Sequence, residues 1–126
     1  MYQFLVVFLG GGIGAGLRHG VNLLAARTLG VQFPYGTLCI NIIGSTLMGV
    51  AVAWFAARGG GSPATRLFLT TGVLGGFTTF SAFSLDAALL YERGAPGLAA
   101  AYVAGSVAVS IGGLFAGMAV ARALLG

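Results

Sequence analysis

The chain has 126 residues, 58% of them hydrophobic and 6% charged, with a mean hydropathy of +1.00. A soluble domain usually carries about 25% charged residues, so this balance excludes a soluble fold. A hydrocarbon core takes about 20 helical residues to cross, which gives a single domain with room for about four crossings. The net charge of +4 comes from six arginines against two acids. The arginines are scattered singly, mostly at span ends, and read as topology and headgroup anchors, not as a nucleic-acid patch.

Three prolines, Pro34, Pro63 and Pro96, divide the chain at nearly even intervals, each just before a long apolar run. Proline suits a first helical turn, where its missing N–H would be unpaired anyway. The expected spans are Tyr2 to Ala26, Gly36 to Ala57, Thr65 to Leu90 and Gly97 to Leu124, with Tyr2, Tyr35, Trp54 and Tyr91 near their ends, where amphipathic rings prefer the interface.

The first span lacks the basic lead of a secretory signal and continues past a normal signal core, so it is expected to stay as a span. Arg18 lies in it about 12 Å from its C-terminal end. It suits an aqueous vestibule, where it would concentrate anions, or a snorkelled position. His19 beside it reads as a packing or interfacial residue or as a pH modulator.

On the second span Thr37, Asn41 and Ser45 recur every four residues and form one hydrogen-bonding stripe. Asn41 is its strongest member, because an amide has two donor hydrogens and cannot satisfy itself on its own helix. The third span holds GVLGGFTTFSAFS, Gly72 to Ser84, where paired glycines followed by threonines predict a break near Gly75 to Thr79. Unwound backbone at membrane depth must be buried in protein or line an ion site, and its carbonyls suit a small cation. A packing kink is the alternative. Phe77, Phe80 and Phe83 follow at three-residue spacing; such a stripe is ordinarily packing, yet inward ring edges would stabilise a bare anion. On the fourth span Tyr102, Ser106 and Ser110 form a second column of hydroxyls, and the two columns together suggest a narrow polar path, with bonding back to their own helices as the alternative.

Twenty-three glycines point to close helix packing, with Gly12/Gly16, Gly72/Gly76 and Gly113/Gly117 as candidate contact pairs. Arg58, Arg66 and Arg122 fall on one side of the membrane and Arg27 and Arg93 on the other. So small a bias permits insertion both ways and antiparallel pairing, or one orientation set by weaker cues. Four thin helices hardly enclose a pore, which favours a dimer. Asp86 is the only acid well inside a span, too few for a typical proton-coupled carrier, and no catalytic motif is present. A small proton-coupled exporter of cationic compounds, built on Asp86, and a non-transporting scaffold are the other readings.

The stretches GGGIGAGLRHG, GTLCINIIGSTLMG and GVLGGFTTFSAFS, one on each of the first three spans, resemble the Fluc (CrcB) fluoride channel family over essentially the whole chain. The resemblance implies an antiparallel, dual-topology homodimer with two pores in the bacterial inner membrane. It implies passive export of fluoride that entered acidified cells as neutral HF. By motif position, Phe80 and Phe83 would be the pore phenylalanines and Asn41 the adjacent amide donor. Gly75 and Thr78 would give backbone carbonyls to a structural sodium ion on the dimer axis, and Arg18 would line a vestibule. Thr37, Ser81, Tyr102, Ser106 and Ser110 would supply hydroxyls. His19, where the family often has Tyr or Trp, and Ala82, where it commonly has Thr or Ser, are the departures.

Overall fold

A computed structural model of the protein describes residues 1–125. It is helical throughout: α1 (Tyr2–Thr28), α2 (Tyr35–Ala57), a composite third span and α6 (Pro96–Leu125). The third span runs through α3 (Pro63–Arg66), a π-helical stretch (Leu67–Leu74), α4 (Gly75–Phe77) and α5 (Ser81–Glu92). Four units, counting Pro63–Glu92 as one, are long and apolar enough to cross a membrane among the described residues. The shortest, α2, has 23 residues and is about 35 Å long at 1.5 Å per residue, enough for a core about 30 Å thick. This is a multi-pass membrane protein. Its outward side chains, among them Phe4, Phe8, Phe115 and Leu124, are exposed as a lipid-facing surface requires.

The prolines sit at helix starts. Pro34 directly precedes α2, while Pro63 and Pro96 are the first residues of α3 and α6. Ser62 caps α3 by accepting the Thr65 N–H at 3.1 Å, which pairs one of the orphan donors of a helix start. At the other membrane face Gly94 turns α5 into α6 with a φ of 89°, and Ala95 N–H reaches the Leu90 carbonyl at 3.0 Å. Glycine takes that left-handed conformation without a Cβ clash. Near the Ser62 face, the Arg58 guanidinium lies 4.8 Å from the centre of the Trp54 ring, an arrangement suited to a membrane interface.

Packing is pairwise, with α1 against the first half of the third span and α2 against α6. Glycines set both contacts. Gly72 backs onto Gly10 and Gly76 onto Gly11, while a Cβ on Gly14 would meet the Val73 carbonyl and the Phe77 nitrogen. Gly113 and Gly117 lie against Thr46, and Gly49 against Leu114. Two of the glycine pairs expected from sequence therefore lie at helix contacts. The third does not: Gly12 and Gly16 face open space within the subunit, and α1 uses Gly10 and Gly14 instead. Those lie two residues away, about 200° around a helix, which spacing alone could not distinguish.

The third span leaves helical geometry at 78–80, at the far end of the expected window. Gly75 and Gly76 remain helical because Gly76 is held against Gly11 of α1. Thr78, with ψ at 156°, turns the chain into an extended conformation. Beyond the break, a buried cluster of Phe83, Leu90, Ala99 and Tyr102, with Phe33, Leu38 and Ala87 packed on it, ties α5 and α6 to α2 and to the loop after α1.

Candidate functional site

The break is held open by Asn41. Its Nδ2 donates to the Thr79 carbonyl at 3.0 Å and its Oδ1 accepts the Thr79 N–H at 2.9 Å. One side chain thus replaces both the donor and the acceptor that a continuous helix would have given Thr79. Backbone polar groups at membrane depth require such partners. An amide carries two N–H groups, so one donor of Asn41 remains after the clamp is made. Thr79, which sequence reasoning did not single out, is buried and also caps the following turn, its hydroxyl accepting the Ala82 N–H at 3.3 Å. The Phe80 carbonyl is closed off by the Ser84 N–H at 2.9 Å and the Ser84 hydroxyl at 3.0 Å.

Beside the clamp lies a groove of about 240 Å³ lined by Asn41, Ser45, Thr78, Phe80, Phe83, Ser106, Ser110 and their neighbours. It brings Asn41 and Ser45 of the α2 stripe together with Ser106 and Ser110 of the α6 column. The Ser106 and Ser110 hydroxyl oxygens are buried and have no hydrogen-bond partner among the described residues. A serine that bonded back to its own helix would not leave such orphans. The two phenylalanines differ sharply: Phe83 is 8% exposed and Phe80 76% exposed, with ring centres 5.4 Å apart. Phe83 also packs on Tyr102 at 5.3 Å, and Tyr102 meets Phe33 edge-on at 5.5 Å. Phe77 is buried against Gly44 and lines no part of the groove.

Toward the Gly94 face lies a separate chamber of about 430 Å³, whose polar lining includes Asn22, Gln32, Thr37, Asp86 and Arg93. Arg93 donates to the Gln32 carbonyl at 2.8 Å and so pins the loop after α1 to the end of α5. Thr37 is buried and belongs to this chamber, not to the groove. Tyr102, 2% exposed, lines neither space; its hydroxyl donates to Asp86 Oδ2 at 3.2 Å. Arg18 is half-buried on α1, one turn from Asn22, and is not among the residues that line the chamber. Ser81 is exposed and lies outside the groove.

Gly75 and Thr78 have carbonyls that the break frees. The Thr79 N–H that would close the helical turn onto Gly75 goes to Asn41, and the Ala82 N–H that would close onto Thr78 goes to the Thr79 hydroxyl. Gly75 is also exposed at the subunit surface. Neutral carbonyl oxygens are suitable ligands for a hard monovalent cation. No cluster of His, Cys, Asp or Glu capable of holding a metal occurs among the described residues.

The model of a family described as CrcB-like protein, Camphor Resistance (CrcB), matches residues 5–118. Similar curated proteins include a fluoride-specific ion channel FluC of Rhodopseudomonas palustris (strain BisB5), 63% identical over 121 residues, covering 96% of this chain and 98% of the relative. A protein of the same name from Methylobacterium nodulans is 63% identical over 122 residues, with 97% and 98% covered. Fluoride-specific ion channel FluC 2 of Nitrobacter hamburgensis is 57% identical over 122 residues, with the same coverage.

Proposed function

Because the chain belongs to the CrcB family, we propose that it is a fluoride-selective channel of the bacterial inner membrane, passing fluoride passively out of the cytoplasm through the two pores of an antiparallel homodimer. The observation that carries the polar path is the pair of buried, unpartnered hydroxyls of Ser106 and Ser110, which line the groove together with Phe83. A dehydrated fluoride ion needs donors in place of water. The serine hydroxyls and the spare Asn41 N–H can supply them, and the positive edges of Phe80 and Phe83 add attraction without a full charge that would trap the ion. No lysine, arginine or histidine lines the groove.

A second copy is supported by the exposure of Phe80, a large apolar side chain beside an open polar groove. Opposed by a partner, the groove would close into a pore and Phe80 would be covered. The freed Gly75 and Thr78 carbonyls support a structural sodium ion shared between copies, where it would brace the two breaks against each other. Arg18 and Ser81, placed away from the chamber and groove of one subunit, act in this reading where the partner completes the pathway. The cation-exporter alternative finds no support, since the relatives are named fluoride channels and Asp86 is engaged by Tyr102.

Efflux from reconstituted liposomes loaded with both salts, followed with fluoride and chloride electrodes, tests the function. Rapid fluoride loss with retained chloride is expected, and folded protein that releases no fluoride overturns the proposal.

A further inference from the structure

A third space, of about 520 Å³, lies at the Ser62 face among the start of α1, the end of α2 and the start of the third span. That volume is in the range of small-molecule sites, about 300–1,000 Å³. Val52 and Ala56, which line it, lie within about 8 Å of the end of α2 at 1.5 Å per residue. Because α2 is only slightly longer than a hydrocarbon core, its last turns sit where that core gives way to headgroups. The Trp54 ring, with Arg58 over it, marks the same level.

The lining divides by chemistry. Val52, Phe55, Ala56 and Leu67 are apolar, while Arg66 and Gln3 bring N–H donors. Arg66 is the single charged residue of the lining, and no acid stands beside it. Both acids of the chain, Asp86 and Glu92, are on α5, in the half of the third span toward the Gly94 face. The Thr70 hydroxyl donates to the Arg66 carbonyl at 2.6 Å, which leaves the guanidinium itself open to a ligand. Gly60 of the α2–α3 loop brings its Cβ position to 3.8 Å from Arg66 Nη1 and so borders the guanidinium at the cavity. Gln3, Val52 and Arg66 are exposed, so the space is open at the subunit surface.

We propose that this cavity binds an anionic glycerophospholipid, with its phosphate on the Arg66 guanidinium and the Gln3 amide and an acyl chain along Val52, Phe55 and Leu67. A guanidinium takes a phosphate through two parallel N–H···O bonds. A choline headgroup would bring a second cation beside Arg66 with no carboxylate in the lining to receive it, whereas a glycerol headgroup brings none. Free phosphate offers the same oxygens but leaves the apolar wall uncovered. The bound lipid touches α1, α2 and the third span together and stabilises their junction. No residue lines both this cavity and the groove, so the inference stands apart from fluoride conduction.

The test uses the full chain in mild detergent, titrated with phosphatidylglycerol or with phosphatidylcholine of the same acyl chains and read by native mass spectrometry. Phosphatidylglycerol should be retained at a roughly tenfold lower concentration, the scale of one charge-assisted contact, and should raise the unfolding temperature more. Arg66→Gln should abolish the preference. Arg122→Gln, on the same membrane face but outside the cavity, should keep it. Ala56→Trp, which fills the cavity and leaves every charge in place, should weaken phosphatidylglycerol retention by a similar factor. Equal retention of the two lipids by the unsubstituted protein overturns the inference, as does retention of neither, the result expected if a second copy fills the cavity. Equal losses in Arg66→Gln and Arg122→Gln also overturn it, since general surface charge then accounts for the preference. Displacement of the lipid by inorganic phosphate would assign the site to the free ion instead. If Arg66→Gln does not assemble, Ala56→Trp decides: undiminished retention there defeats the proposed cavity.

Discussion

Replacing Asn41 by alanine removes both hydrogen bonds that hold the third span open at Thr79, at 3.0 and 2.9 Å. Thr79 is buried, so its N–H and carbonyl lose their partners together. Interhelical hydrogen bonds in membranes average about 0.6 kcal/mol, which for two gives a lower bound near 1.2 kcal/mol. Leaving a buried donor and acceptor unpaired costs about 1–3 kcal/mol each, which gives an upper range of about 2–6 kcal/mol. At about 1.4 kcal/mol per tenfold, even the lower bound depletes the open break by nearly an order of magnitude. The groove wall at Thr78 and Phe80 is part of that break, so fluoride efflux from liposomes should fall about tenfold or more. Size-exclusion elution should be unchanged, because α2 still packs along α6. Wild-type flux from a correctly assembled Asn41→Ala protein would refute the clamp.

Phe80→Ile and Phe83→Ile should each reduce fluoride flux strongly in the same assay while the protein stays assembled; wild-type flux in both removes the ring-edge account. Phe83→Ile should in addition lower the unfolding temperature, since Phe83 is buried against Tyr102 and Phe80 is not. Ser106→Ala with Ser110→Ala should slow fluoride efflux by several-fold with little loss of stability, because neither hydroxyl has a protein partner to lose. Gly14→Ala should destabilise the bundle by about 1–3 kcal/mol through overpacking against Val73 and Phe77, read as earlier thermal aggregation in detergent. Gly12→Ala, with open space at its Cβ, should leave that temperature unchanged.

Much of the fold was legible because bilayer physics is restrictive. An apolar chain with prolines before three of its four long runs has few choices beyond four helices, and the threonines after Gly75 and Gly76 marked a break. The serine column on α6 was legible because four-residue spacing keeps Ser106 and Ser110 on one face. What spacing could not reveal was which face meets which neighbour. Gly12/Gly16 and Gly10/Gly14 are equivalent as sequence, and only the rotation of α1 against the third span selects the second pair. The partner of Asn41 was hidden for the same reason, since Thr79 lies 38 residues away. The π-helical stretch at Leu67–Leu74 carried no composition signal; its residues, LFLTTGVL, read as an ordinary apolar helix. Asp86 was read as a scarce acid and as the carboxylate an exporter would need, and its engagement of Tyr102 emerges only when α5 and α6 are brought together.

The central claim is that this groove passes fluoride and rejects chloride. It is tested most directly by the reversal potential of the current through the purified protein in a planar bilayer, with a tenfold fluoride gradient and symmetrical chloride. A fluoride-selective pore predicts a reversal potential near the fluoride equilibrium value, about 59 mV for a monovalent ion. A reversal potential near zero, carried by protein-dependent current, would contradict the account.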